Sequence, residues 1–228
     1  MNDVIAAAPA HRTYDFILPP GWRRFHLRRP LGPQAESYAA QALAGRNLRD
    51  RGPLAQRQLA QRMSAMLTAA AERGVTDLAL PVTPEQGGVS GASFVITPLS
   101  LPDDADPMEF LVALASRDDT AQLVEIRDLV ALRTARRQPR EIADPAGEIM
   151  AAADDFGVGG LAAELAAELG GRHYDNRVQY FIGHPERPAD WIMVAFSAGD
   201  DDSATSRELA EALVALFDQI MLSVRYHA

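Results

Sequence analysis

The stretch "VQYFIGHPERPADWIMVAF", residues 178–196, decides how the rest of the chain is read. Two runs rich in Val, Ile, Tyr, Phe and Trp flank a short polar insert that holds two prolines, a glycine and a histidine. β-Branched and aromatic side chains fit a pleated, half-buried surface, whereas Pro and Gly punctuate turns. The spacing predicts an antiparallel pair, "RVQYFIG" against "DWIMVAFSA", closed by "HPERPA". His184 sits in that closure with Glu186 and Asp190 nearby in sequence. A general base oriented by a carboxylate uses these residue types. A histidine beside a proline in a turn is nevertheless expected to be exposed and idle, so the flanking strands matter more than the insert.

Downstream, residues 205–225 predict a closing helix with a core face of Leu209, Leu213, Leu216, Phe217, Ile220 and Val224. Thr205 and Glu208 have the spacing of a capping box. Asp200, Asp201 and Asp202 stand just before it, where the helix dipole favours carboxylates.

Upstream, "HYD" puts His173 and Asp175 on the same face of a strand. A metal site needs a further ligand, and neither H-x-x-x-H nor H-E-x-x-H occurs. "LAAELAAEL" (161–169) predicts a small amphipathic helix between glycines, and residues 138–160 read as loop. Residues 121–137 suit strands better than one helix. Residues 106–117 predict a helix capped by Asp106 with Pro107 in its first turn. Residues 89–101 form a long β run whose Pro98 and Gly91 point to an edge or a bulge, and 84–88 is a loop. Before these come a strand at 75–82 and a helix at 54–73, its apolar stripe being Leu59, Met63, Met66, Leu67 and Ala70. A shorter helix is expected at 32–45. "YDFIL" (14–18) and "WRRFHL" (22–27), joined by "PPG", predict an opening hairpin.

Composition narrows the chemistry. Cysteine is absent, which excludes disulfides, thiol catalysis and Cys-ligated zinc or iron–sulfur centres. No run reaches the roughly 18 apolar residues of a membrane span, and the start lacks a basic n-region, so a cytoplasmic protein is expected. No G-x-S-x-G elbow or G-K-[ST] phosphate loop is present; "DFGVGG" (155–160) lacks the strand context that would give its letters meaning. "GDDD" lacks the acid spacing of a calcium loop.

The net charge of −9 hides an asymmetry: residues 1–62 carry ten Arg against four acids, and there is no lysine anywhere. The basic cluster, which includes Arg23, Arg24, Arg28 and Arg29, offers a partner-facing surface. The acidic whole and the scarcity of stacking aromatics speak against nucleic acid.

Several of these pieces resemble, in order, a family of actinobacterial PsbP-like proteins. The likeness is carried by Phe16, Pro19, Gly21 and Trp22; by "VSGASFVITPLSL" and "LVALRTARR"; by Val178, Gln179 and Tyr180; by Phe196 and Ser197; and by Leu216, Phe217, Asp218, Ile220, Arg225 and Tyr226. "AGDDD" replaces the family's T-P after the second strand, and residues 138–172 look like an insertion. The resemblance implies the sandwich fold of the photosystem subunit PsbP and of a Ran-binding import factor, whose better-known members bind proteins.

The expectation is therefore one α+β domain over residues 1–228, an antiparallel sheet sandwiched by helices. The expected function is a non-enzymatic protein-interaction or accessory module linked to a secretion or toxin cluster, with no cofactor, no metal and no membrane. The partner surface would include Arg23, Arg24, Arg28, Arg29, Leu161 and Leu165. The alternative is a small-ligand binder or unassigned enzyme with a pocket near His173, Asp175 and Trp191, between sheet and helix.

Overall fold

The computed structural model describes residues 14–44, 52–82, 91–102, 105–140 and 173–227. Its elements are β1 (Tyr14–Asp15), β2 (Trp22–His26), α1 (Leu31–Ala42), α2 (Gly52–Glu72), β3 (Asp77–Pro81), β4 (Ser93–Ser100), α3 (Pro107–Ala115), β5 (Gln122–Ile126), β6 (Leu129–Arg140), β7 (His173–Gly183), β8 (Asp190–Asp200), α4 (Ala204–Leu222) and β9 (Arg225–Tyr226). Seven strands make one antiparallel sheet in the order β2-β3-β4-β8-β7-β6-β5, and β1 pairs with β9 in a separate ribbon. The mixed α+β class is thus as expected.

The β7–β8 hairpin forms the centre. Val178, Tyr180 and Ile182 stand opposite Phe196, Val194 and Ile192, so strand alternation gathers all six on one face. α4 lies across that face. Its Phe217 stacks on Phe196 at 4.8 Å, meets Tyr180 edge-on at 5.7 Å and touches Phe94 at 5.5 Å between ring centroids. The other face is covered in two places. Phe25 and Leu78 pack under Met63 and Leu67 of α2, and Leu132 and Trp191 pack under Leu111 of α3. Helices therefore sandwich the sheet.

Trp191 also explains a glycine. It stands opposite Gly183, where a Cβ would come within 3.1–3.3 Å of its indole ring. The indole N–H donates to the Pro188 carbonyl at 2.8 Å, so the polar end of this core residue is satisfied.

Four expectations need correction. The opening hairpin does not form: β2 pairs with β3, and β1 pairs with β9 at the far end of the chain. The "PPG" turn is present, with Trp22 N–H donating to the Pro19 carbonyl and Gly21 at φ +83°, but "DLALP" is the partner that buries Phe25. The capping box is replaced by an earlier start, in which Ser203 is the N-cap and its hydroxyl accepts from Ser206 N–H. Two stripe residues, Leu209 and Met66, are exposed, while Ala210 and Met221 take core positions on α4. Finally, residues 138–140 continue β6 instead of opening a loop. The predicted loop at 84–88, the rest of the insertion and the 161–169 helix lie outside the described residues.

Pro98 sits beyond Ile96, the last β4 residue paired with β3, so it faces β8 on one side only. The expected edge-like position for this proline is found within a central strand. α3 starts as expected, with the Asp106 carboxylate accepting from Met108 N–H at 2.7 Å and Pro107 at the first turn.

Candidate functional site

A sheet edge is a row of unpaired backbone groups, and proteins usually blunt it. At the β2 edge, the Gln34 side chain accepts from His26 N–H and donates to the His26 carbonyl, both at 2.9 Å. At the free half of β6, Thr120 Oγ accepts from Ala135 N–H at 3.1 Å. Pro139 falls on the same outward parity, where its missing N–H removes a donor.

β5 is different. It is joined to β6 by a two-residue loop, Arg127–Asp128, with Arg127 at φ +56°. So tight a loop requires Ile126 and Leu129 to exchange both backbone hydrogen bonds. Alternation then turns the N–H and C=O of Val124 and Gln122 towards β6, and those of Leu123 and Glu125 outwards. Among the described residues no strand pairs with this outer edge.

Two large apolar side chains stand exposed at the open edge. Leu123 is 65% exposed and Val130 57% exposed, on the sheet face that carries α3. Met108 and Val112, 61% and 58% exposed, lie one turn apart on α3. Phe110 of the same helix reaches Trp191 of β8, and Leu111 reaches Leu132 of β6. Met108 and Val112 thus lie on the flank of α3 away from Phe110. A shallow concavity of about 270 Å³ is lined by Leu123, Val124, Glu125, Asp128, Leu129 and Val130. These are the materials of a strand-addition surface: open main-chain donors and acceptors, with apolar contacts to either side.

The polar clusters elsewhere look inwards. Asp77 accepts from Tyr14 hydroxyl at 2.6 Å and from Arg24 Nε at 2.8 Å, and His26 Nδ1 lies 2.5 Å away. Burial pushes the Asp77 carboxyl up, but the Arg24 guanidinium and the Tyr14 and His26 bonds outweigh it and hold it below the usual carboxylate range. Burial and the Asp77 charge push the Tyr14 phenol up, so it stays a donor. With its carboxylate saturated, Asp77 ties β1, β2 and β3 together. Asp218 does the same for α4, holding Arg133 through paired bonds at 3.0 and 2.9 Å and Tyr180 hydroxyl at 2.7 Å. Asp200 receives Arg137 and Asn176, and the Arg137 bond first among them brings its carboxyl down to about 2. Asp200 is thus also half of a strand-end ion pair with Arg137.

The expected partner surface is dispersed. Arg24 is buried against Asp77 and Asp15, with its guanidinium 4.2 Å over the Phe16 ring. Arg23 is half-buried, reaching Gln41 at 3.4 Å, and only Arg28 and Arg29 of the four are exposed. Leu161 and Leu165 lie outside the described residues. Nor do His173, Asp175 and Trp191 share a pocket. His173 and Asp175 stand at the start of β7 and Trp191 opposite its last residue, roughly 25 Å away at strand rise. Asp175 is engaged by Arg177 and Ser197.

His184 is buried, contrary to its expected exposure. Its Nδ1 accepts from Glu186 N–H at 3.1 Å, and its ring lies 4.5 Å from that of Tyr226 on β9. Burial first and Arg187 second hold its pKa below the ordinary value, against the opposing Asp190 and Glu186 charges. A lowered folded pKa means the unfolded chain binds the proton more readily. Stability should be full above about pH 6.5 and should fall as the pH drops from there towards the folded value. His184→Asn keeps an acceptor for Glu186 N–H without a titrating group. Its melting temperature should change less between pH 7 and pH 5 than the wild type's; equal slopes would remove His184 as the cause.

Among the described residues no helix is long and apolar enough to cross a membrane. No protein-family model, curated protein or solved structure matches the chain.

Proposed function

We propose that the protein is a non-enzymatic interaction module that docks an extended segment along the outer edge of β5. The observation that carries this is the coincidence of an edge at Leu123 and Glu125 that no described strand covers with the exposed apolar side chains of Leu123 and Val130 beside it. Exposed apolar surface rimmed by polar groups marks interaction sites or ligand-binding grooves. The PsbP-like resemblance supports the same class of function, since its better-known members act by binding proteins. The surface differs from the basic one expected from composition, because Arg24 is committed to Asp77.

Selection of a displayed library of random 12-residue peptides on the immobilised protein tests this. Binders should alternate apolar and polar residues and lose roughly tenfold or more in affinity for Leu123→Asp and Val130→Asp variants that keep the wild-type near-UV spectrum. A library that enriches only peptides indifferent to both substitutions would refute the docking surface.

A further inference from the structure

Resting on β5 as the docking edge, we propose that its occupant is an extended segment of a protein partner with a basic residue opposite Glu125 and an apolar one opposite Leu123. Strand alternation puts Leu123 and Glu125 on one sheet face, where Leu132 and Val130 of β6 stand directly opposite them. Glu125 is therefore a carboxylate set in an apolar row. Its diagonal neighbours across the pair are Leu132 and, at the loop end, Asp128. Both carboxylates line the same shallow concavity, together with Leu123 and Val130. Both are exposed, and neither holds a hydrogen bond or ion pair among the described residues. Arg127, exposed in the same loop, is not among the residues that line the concavity, and no other base lines it. Like charges placed this way on a sheet repel, so the free edge carries an uncompensated negative pair.

An added strand of the right chemistry removes that repulsion. Every neighbouring pair in this sheet is antiparallel, and the same sense is taken for the occupant. The residue that bonds both outward groups of Glu125 then stands about 5.5 Å away between Cα atoms, its side chain on the same face. An arginine or lysine there meets Glu125 directly and reaches diagonally to Asp128; the arginine fork can serve both carboxylates. Two positions along the occupant, the residue that bonds Leu123 lies on the same face. An apolar side chain there covers Leu123. An acidic residue opposite Glu125 would instead add a third negative charge, so the edge discriminates partners by sign as well as by backbone pairing.

Selection of the same displayed peptide library on the immobilised full chain, read by sequencing, tests the sign. Enriched peptides should carry Arg or Lys two residues from an apolar side chain, and selection on Glu125→Lys/Asp128→Lys should enrich Asp or Glu instead. The leading wild-type binder, resynthesised with a fluorescent label, should lose about three- to tenfold in affinity on Glu125→Gln/Asp128→Asn. Its affinity should also fall between about 50 mM and about 0.5 M salt. Glu36→Gln, at an exposed acid on α1, should leave it unchanged, which separates the edge from general attraction to a chain of net charge −9. Leu123→Ser and Val130→Ser remove apolar surface without adding an acid, so they identify the binders that occupy the edge. Binders that need Leu123 and Val130 but lack a basic residue, or tolerate Glu125→Gln/Asp128→Asn, overturn the basic occupant and leave the docking edge standing. A library that enriches nothing, or only peptides indifferent to both Ser variants, overturns the docking edge and this occupant with it.

Discussion

Phe217→Ala should destabilise the fold by about 3–5 kcal/mol, the range for deleting a buried aromatic ring from a core. The ring is fully enclosed, 1% exposed, and is the contact through which α4 meets Phe94, Phe196 and Tyr180 on three adjacent strands. The edge-on and stacked aromatic pairs add to the burial lost. Ile96, Val178 and Val194 of the same cluster are themselves buried on strands with restricted χ1 and offer little movement into the vacancy. Denaturant unfolding should show a lower midpoint with an unchanged slope. A loss below about 1 kcal/mol would mean that α4 is not packed on the sheet as described.

Asp77→Ala should be comparably damaging, about 3–5 kcal/mol, for an electrostatic reason. Arg24 and Asp77 have side chains only 10% and 8% exposed, and Arg24 Nη2 has no hydrogen-bond partner among the described residues. Removing the carboxylate leaves the largely buried guanidinium with the more exposed Asp15, 3.2 Å away, and the Tyr14 hydroxyl with Thr76 Oγ as its remaining partner. The cost belongs to the broken pair and not to the position. The double variant Arg24→Met/Asp77→Leu, which buries apolar groups of similar size, should therefore recover most of the lost stability. If it is as unstable as Asp77→Ala alone, the pair contributes through some other contact. Acid acts on the same group. Its carboxyl pKa is depressed, so its contribution is present above the unfolded value near 3.8 and disappears as the pH falls through the lower folded value.

What was legible in the sequence is what depends on local period. The β7–β8 hairpin is written in alternating residues around a Pro-rich insert, and α4 and α2 in apolar recurrence at three and four positions. The Asp106–Pro107 helix start is equally local. What escaped depends on contacts far along the chain. Arg24 reads as a surface charge until β3 delivers Asp77, 53 residues later. His184 reads as an exposed turn residue until Tyr226 closes over it from β9. β1 finds its partner at the C-terminal end, where no nearest-neighbour rule would look. The docking edge was invisible for the same reason. "AQLVEI" shows a strand, but only the sheet order shows that it is the outermost one, and only the two-residue loop shows which amides face out.

Single-residue amide hydrogen exchange on a dilute sample tests the open edge most directly. Val124 and Ile126, bonded to β6, should be protected, while Leu123 and Glu125 exchange close to unstructured rates. Slow exchange at all four amides at the lowest concentration would show the edge already covered within one chain, and the docking account would be wrong.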